Sequence, residues 1–176
     1  GEFSRIKVHI GERFLKYDHL ANMNISMKPQ DTLYGKSWFE FLLSCKCLLV
    51  TEGGASVYDY DGSIKKNIET YQLNNPEASF DEIKNKFFKD KDKLLNYRAI
   101  GPKYFEGTIS KTCLIAYEGT HSNIFTKDIH YLEVKKDYSN IPEIIEKVKD
   151  TALLSKIIEQ TYKDIVLSEK YSYKKF

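Results

Sequence analysis

The chain has 176 residues, with 27 Lys and Arg against 25 Asp and Glu, and a formal net charge of +2 at pH 7. This length is sufficient to bury a core without disulfides or metal, and the interspersed charges argue against a nucleic-acid-binding protein. No apolar run approaches the roughly 20 residues of a membrane span, and the first residues lack the apolar core of a signal peptide. We therefore expect a cytoplasmic protein, and leave open a peripheral association with the inner face of a membrane.

The first predicted elements are a helix and a strand. The stretch "YGKSWFEFLLSC" places Tyr34, Trp38, Phe41, Leu42 and Cys45 on one helical face, and "CKCLLV" then runs as a short buried strand. The following "TEGGASVYDYDGSI" predicts a glycine-rich loop, because glycine lets backbone N–H groups approach an anion.

The next segment, residues 63–95, is polar and rich in lysine. Its two stretches "SIKKNIETYQL" and "SFDEIKNKFF" predict helices, and "NNPEA" between them is a turn signal. We interpret residues 63–95 as a solvated helical insertion.

The last third of the chain predicts two more strands and two helices. "TCLIAY" is a fully apolar strand that ends at Glu118 and Gly119, and "IHYLEV" is a third strand. In "SNIPEIIEKV" we expect Asn140 to cap a helix, with Pro142 in its first turn and Glu143 completing a capping box. The final helix, "TALLSKIIEQTYKDIVLSEK", has a predicted buried face: Leu154, Ile157, Ile158, Thr161 and Ile165.

This alternation of helices with apolar strands predicts the fold class. We expect an α/β protein, a single Rossmann-like three-layer domain over residues 1–176 with a parallel sheet. Such sheets bind ligands beyond the carboxyl ends of their strands. The three cysteines, Cys45, Cys47 and Cys113, match no zinc spacing and are interpreted as small buried apolar residues.

The "DYDG" of the loop has one chemical interpretation and one structural interpretation. In an aspartate-nucleophile phosphatase of the haloacid-dehalogenase type, Asp59 would attack phosphorus and Asp61 would act as general acid and base with magnesium. The later paired-acid motif of those enzymes is missing from the chain. Alternatively, the two aspartates cap the following helix, which stabilises its first turn by about 1 kcal/mol.

Several stretches, taken in order from about Ile25 to the C-terminus, resemble one enzyme family. The stretches are "ISMKPQDTLYGKSWFEFLLSCKCLLVTEGGASVYDYDG", "IGPKYFEG" and "KTCLIAYEGTHSNIFTKDIHYLEVKKDYSNI". They resemble the nucleotide-binding, C-terminal half of a bacterial GT-B glycosyltransferase of surface polysaccharide or lipooligosaccharide synthesis. The chain departs from the family pattern at Gly53 for Ser, Lys103 for Arg, His121 for Tyr and Asn123 for Gly.

The resemblance implies a set of donor-binding residues. Glu106 would accept hydrogen bonds from the ribose hydroxyls of the donor, and the others would line its diphosphate and sugar; no residue is assigned to catalysis. The implied donor-binding residues are Glu52, Gly54, Ala55, Ser56, Lys103, Glu106, Glu118, Gly119 and Ser122.

The resemblance also implies the activity and the partners. The chain would bind a nucleotide diphosphate sugar, with no metal and no cofactor, and the sugar would pass to a glycan acceptor. Turnover would require an N-terminal acceptor domain that this chain lacks, so the chain alone would be inactive. The alternative is a module that binds a nucleotide sugar or a partner without chemistry.

Some of these positions also have a purely structural interpretation. Trp38 and Phe105 lie on amphipathic stripes and fit a core. His130 fits a hydrogen-bonded structural histidine as well as a functional one. Lys135 and Lys136 fit a solvated face, with a phosphate contact as the alternative.

Overall fold

The computed structural model describes residues 2–89, 91 and 95–175. Its α-helices are α1 (Glu2–Leu15), α2 (Gly35–Ser44), α3 (Ser63–Asn74), α4 (Phe80–Phe87), α5 (Pro102–Ile109), α6 (Ile141–Lys149) and α7 (Thr151–Thr161). Its strands are β1 (Cys47–Val50), β2 (Gly53–Ala55), β3 (Tyr97–Ala99), β4 (Cys113–Tyr117) and β5 (Tyr131–Val134). Shorter helical turns lie at Asp18–Leu20, Pro29–Asp31, His121–Asn123, Tyr162–Leu167 and Tyr173–Lys175.

The chain divides into two compact units. The small unit comprises the start of α1, up to Arg5, and Gly53–Arg98; the large unit comprises Ile6–Glu52 and the chain from Ala99 onward. The predicted helical insertion, residues 63–95, falls within the small unit. The assignment of one domain to residues 1–176 stays a prediction.

The large unit is built on a three-stranded parallel sheet in the order β1-β4-β5. Central strand β4 pairs on one side with β1, in a register that sets Cys47 opposite Cys113, and on the other with β5. The three strands are those predicted from "CKCLLV", "TCLIAY" and "IHYLEV", and their parallel pairing confirms the predicted α/β class.

Helices cover both faces of this sheet. On one face, Ile115 and Leu132 share a buried cluster with residues of α1, α6 and α7. On the other face, Leu114 and Tyr131 share a second cluster with residues of α2 and α5. Because both faces are buried, consecutive strand residues are apolar, and each fully buried Leu or Ile contributes about 1.5–3 kcal/mol of transfer free energy.

The start of α6 corrects one detail of the prediction. The helix forms with Pro142 in its first turn, but the Asn140 side chain does not cap it. Instead, Asn140 Nδ2 donates to the carbonyl of Glu133 at 2.8 Å and Oδ1 accepts from the amide of Lys135 at 3.0 Å. Glu143 pairs with Lys147 rather than closing a capping box. The predicted cap is therefore wrong, because the asparagine fixes the chain as it leaves β5.

The small unit contains α3 and α4, as predicted from the two lysine-rich stretches. Asp59 caps α3 with both oxygens, accepting from the amide of Ile64 at 3.1 Å and of Lys65 at 2.9 Å. Ser79 caps α4 by accepting from the amide of Glu82 at 3.2 Å.

The glycine-rich segment after β1 is not only a loop. Gly53–Ala55 forms strand β2, which pairs with β3 in a two-stranded sheet. A Cβ added to Gly54 would lie 2.0 Å from the carbonyl oxygen of Tyr97, so this glycine permits the close approach of the two backbones. The sequence predicted neither β2 nor β3, nor the first helix α1.

The predicted last helix is present, but its hydrogen-bonding pattern changes along its length. It is α-helical to Thr161 and continues as a π-helical turn over Tyr162–Leu167. Leu154, Ile157, Thr161 and Ile165 are buried, as the spacing predicts, whereas Ile158 is half-buried. Within the described residues, no helix combines the length and the apolar character needed to cross a membrane.

Candidate functional site

The carboxyl ends of β1 and β4 meet through Glu52. This residue follows β1 and is 9% exposed. Its Oε1 accepts a hydrogen bond of 2.7 Å from the amide of His121 and one of 3.1 Å from Thr120 Oγ1. Glu52 therefore joins the loop after β4, residues 118–123, as expected for neighbouring parallel strands whose carboxyl ends share one edge.

A glycine makes room for this contact. A Cβ added to Gly119 would lie 2.3 Å from Glu52 Oε2 and 3.0 Å from its carboxyl carbon. Only the absence of a side chain at this position lets the carboxylate lie against the loop backbone.

His121 is the most deeply buried polar residue of the loop, with an exposed fraction of 0%. Its Nδ1 lies 3.0 Å from the hydroxyl of Tyr104, and its ring packs edge-on against Tyr131 at a centroid distance of 4.6 Å. We call Glu52, Tyr104, Thr120, His121 and Tyr131 the edge cluster. It gathers side chains from the ends of two strands, from α5 and from the start of β5.

Burial shifts the pKa values of three residues of the edge cluster: Tyr104, His121 and Tyr131. Burial raises the pKa of Tyr104 and of Tyr131 well above that of an exposed tyrosine, so both phenols stay protonated near pH 7. Burial also lowers the pKa of His121 below 6.5, although Glu52 and Glu133 act in the opposite direction. A neutral ring can accept the Tyr104 proton at Nδ1 and then carries its own proton on Nε2. This Nε2 has no hydrogen-bond partner among the described residues.

The loop backbone is strained at this point. His121, Ser122 and Asn123 all adopt left-handed conformations, with φ of 48°, 54° and 56°. For residues with a side chain this conformation costs roughly 1–2 kcal/mol each. The amide of Asn123 donates to the carbonyl of Thr120 at 2.9 Å, and Glu52 holds the amide of His121, so these bonds and the burial of the His121 ring offset the strain.

Glu118 connects the ends of β4 and β5. Its amide donates to the carbonyl of Val134 at 2.8 Å, and its Oε1 lies 3.4 Å from Lys136 Nζ. Its Oε2 also accepts from the amide of Lys136 at 3.3 Å. Lys136 is thus an ion-pair partner of a predicted donor residue as well as part of a solvated face.

Two predicted donor residues of α5 contact Trp38 of α2. Trp38 Nε1 donates to Glu106 Oε2 at 2.9 Å, and Lys103 Nζ lies 5.2 Å from the Trp38 ring centroid. Trp38 is partly buried against the second sheet cluster, as its core interpretation predicts, and Phe105 packs there edge-on to Phe125. The Trp38 indole therefore combines a packing role with a polar contact that the sequence did not predict.

The other predicted donor-binding residues, Ser122, Gly54, Ala55 and Ser56, are not part of the edge cluster. Ser122 Oγ accepts from the amide of Ile100 at 3.4 Å. Gly54, Ala55 and Ser56 lie in the small unit, where Ser56 is 2% exposed and its Oγ lacks a partner among the described residues. Their donor-binding role stays a prediction.

The geometry around His130 favours its structural interpretation. Its Nδ1 accepts from the amide of Thr126 at 2.9 Å, and its Nε2 lies 3.1 Å from Asp164 Oδ2. Gln160 donates to the same Asp164 oxygen at 2.7 Å, and the bonds from Gln160 and His130 lower the pKa of Asp164. Both ring nitrogens are occupied, so neither is free to act as a base.

The two aspartates of "DYDG" also have hydrogen-bond partners. Both oxygens of Asp59 accept amides of α3, and Asp61 accepts from the amide of Ser63 at 3.0 Å. Hydrogen bonds from the Ser63 side chain and then from its amide lower the pKa of Asp61. This arrangement favours helix capping over a phosphatase nucleophile. Among the described residues, no group of three or more His, Cys, Asp or Glu is placed to hold a metal ion. The three cysteines are free thiols, and Cys113 is buried in the sheet.

Sequence reasoning missed most of the edge cluster. The sequence patterns do not indicate Tyr104, Thr120 or Tyr131 as site residues, and His121 stands out only as a departure from the family pattern. The available signal was position: Thr120 and His121 directly follow the predicted strand end at Glu118 and Gly119.

Together, fold and site define an α/β protein with a helix-covered parallel sheet and a buried Glu–His–Tyr cluster at its carboxyl edge. Comparisons of the chain with protein-family models, with curated proteins and with solved structures found no match.

Proposed function

We propose that this chain is the donor-binding half of a glycosyltransferase, which holds a nucleotide diphosphate sugar at the carboxyl edge of the β1-β4-β5 sheet. The observation that carries the proposal is the meeting of Glu52 with Thr120 and His121 at this edge. Ligands of open parallel sheets bind where strand-end loops converge in this way. The resemblance to the GT-B family supplies the class of ligand.

The chemistry of α5 supports a ligand with a charged phosphate part and a sugar part. The helix begins at Pro102 without a side-chain cap. Pro102 has no N–H and the Tyr104 amide donates to the Gly101 carbonyl at 3.2 Å, so the Lys103 amide is the first-turn donor that faces an anion, and the Lys103 ammonium adds a positive charge beside it. One turn later, Glu106 offers a carboxylate, whose two oxygens suit the two vicinal hydroxyls of a ribose. One of these oxygens also accepts the Trp38 indole, which fixes the orientation of the carboxylate.

The proposed reaction is transfer of the sugar to a glycan acceptor. Backbone amides and Lys103 would offset the charge of the departing nucleotide diphosphate, and a second domain would bring the acceptor. The competing proposal is a module that binds the nucleotide sugar without transfer. The resemblance favours the enzyme, and turnover separates the two.

Calorimetric titration of the chain with UDP and with GDP tests the binding step. We expect one of the two to bind, and Lys103→Ala to weaken this binding. Lys36→Ala is the matched control, because Lys36 lies on α2 in an exposed pair with Glu40. Failure of both nucleotides to bind, or equal weakening by the two lysine variants, would contradict the proposal.

A turnover assay then separates enzyme from binding module. It requires protein that includes an acceptor domain, a set of nucleotide sugars and a glycan acceptor. Binding with transfer supports the glycosyltransferase, and binding without transfer supports the module.

A further inference from the structure

His121 holds the loop after β4, residues 118–123, in place, and its imidazole can be neutral or protonated. His121 has an exposed fraction of 0%, and its backbone and side chain hold the loop in different ways. The amide of His121 donates to Glu52 at 2.7 Å, while the ring fills the space between Tyr104 and Tyr131. The ring therefore has to stay inside for the loop to keep this form.

The surroundings of the ring suit a neutral imidazole. Tyr104 of α5 can donate to Nδ1, and the ring of Tyr131 of β5 makes a T-shaped contact with the imidazole at a centroid distance of 4.6 Å. The unpartnered Nε2 lies in the protein interior and has no acceptor among the described residues. A second proton on the ring would sit on Nδ1, so Tyr104 would have to turn its hydroxyl away, and the resulting cation would be buried with no acceptor at Nε2 among the described residues.

The charged groups that face the ring do not compensate for this burial. Glu52, at the end of β1, and Glu133, on β5, are the carboxylates that act on it, and both favour a positive ring. Glu52 already accepts two hydrogen bonds through Oε1, and Glu133 is paired with Lys127 at 2.6 Å. The desolvation of a buried cation outweighs them, which agrees with the lowered pKa of His121.

We propose that His121 is a pH-sensitive latch on residues 118–123: the neutral ring stays buried and holds the loop against Glu52, and protonation expels the ring and opens the loop. The opening also releases the left-handed backbone strain at His121, Ser122 and Asn123. The proposal does not depend on the identity of any ligand. If the loop also contributes to a nucleotide-sugar site, acidification would weaken that site.

The expected pH dependence follows from proton linkage. The ring has its ordinary pKa of about 6.5 when the loop is open and a lower one when it is closed. Below about pH 6.5 the open state therefore binds more protons, and the population of open loops rises by up to about tenfold for each pH unit until the pKa of the closed state is reached.

Hydrogen exchange of the intact chain between pH 8 and pH 5 tests the latch. After correction for the intrinsic exchange rate, the protection of the His121 and Asn123 amides is expected to fall by up to about tenfold per pH unit below about 6.5. Central β4 amides serve as the internal reference and are expected to keep their protection. In His121→Gln, which cannot be protonated, the loop protection should not depend on pH. His19→Gln, the loss of an exposed histidine, is the matched control and should behave as the wild type.

If the His121→Gln variant does not fold, a second measurement on the wild-type protein tests the proposal. The ring nitrogens of the wild type are followed by NMR over the same pH range. Ring protonation that coincides with loss of loop protection supports the latch. A ring that becomes charged while the loop amides stay protected, loop protection that does not change with pH, or equal loss in β4 would overturn it.

Discussion

The indole Nε1 of Trp38 donates a hydrogen bond of 2.9 Å to Glu106 Oε2, which links α2 to α5. A structural acceptor needs only an oxygen at this position, whereas recognition of a ribose needs the charge and both oxygens. The two roles of Glu106 can therefore be separated by a substitution that keeps the oxygen and removes the charge.

Glu106→Gln should reduce nucleotide affinity but not stability. The amide oxygen of glutamine can still accept the Trp38 proton, so the free energy of unfolding should change by less than about 0.5 kcal/mol. Loss of the charged acceptor should weaken nucleotide binding by about 1.5–3 kcal/mol, or roughly ten- to more than a hundredfold. Calorimetry and denaturant unfolding measure the two quantities. Glu40→Gln on α2 is the control, and a lower melting temperature with unchanged affinity would assign Glu106 a structural role.

Glu52→Ala should destabilise the protein clearly. The substitution removes the acceptor of the buried His121 amide, and a hydrogen bond to a charged group contributes about 1.5–3 kcal/mol. Thr120→Val removes only the second donor to the same oxygen, at an exposed residue, and should cost less than about 1 kcal/mol. Urea unfolding of both variants gives the comparison. Equal losses would show that Glu52 does not hold the loop through the His121 amide.

Gly119→Ala should disrupt the same contact from the loop side. Its new Cβ would meet Glu52 Oε2 at 2.3 Å, so the carboxylate must move away from the His121 amide. We expect a loss of about 1–3 kcal/mol in the free energy of unfolding. Gly101→Ala is the matched control, because a Cβ there meets nothing within 4 Å, and it should be nearly neutral. A neutral Gly119→Ala would mean that Glu52 can relocate without cost.

The tyrosines should titrate in an order set by burial. Burial is the main cause that raises the pKa of Tyr138 to about 12, and it raises the pKa of Tyr104 and Tyr131 further. Because the folded state then holds protons that the unfolded state loses above about pH 10, stability should be fully present below pH 10 and fall as the pH rises. Absorbance at alkaline pH follows phenolate formation, with denaturant unfolding at each pH. Ionisation of all tyrosines near pH 10 in the folded protein would contradict the burial of Tyr104 and Tyr131.

Much of the large unit could be predicted from the sequence because its signals are local. The runs "CKCLLV" and "TCLIAY" are apolar at consecutive positions, which indicates strands buried on both faces, and the spacing of Leu42, Ile144 and Leu154 within their segments indicates helices. In the small unit, the turn signal "NNPEA" likewise separated α3 from α4. These patterns depend only on the period of the backbone and on the burial of apolar side chains.

The errors have a common cause. The sequence predicts a glycine-rich loop at Gly54, but this residue lies in strand β2 with its backbone against Tyr97, more than forty residues later in the chain. Asn140 was interpreted as a helix cap, but its amide turns back to the end of β5. In both cases the residue type predicted a role in the residues that follow, and the folded chain supplied another partner: the backbone at Tyr97 for Gly54, and the preceding end of β5 for Asn140.

By itself, the sequence determined the class of the fold, the order along the chain of the three strands of the parallel sheet, and the edge of that sheet at which loops collect. The tertiary structure alone decided that Glu52 holds the amide of His121, that the imidazole is buried between Tyr104 and Tyr131, and that Trp38 occupies an oxygen of Glu106. Strand and helix periods are properties of consecutive residues, so they can be predicted locally. Hydrogen bonds between residues about 70 positions apart, and the desolvation that sets the charge of His121, depend on which elements pack together.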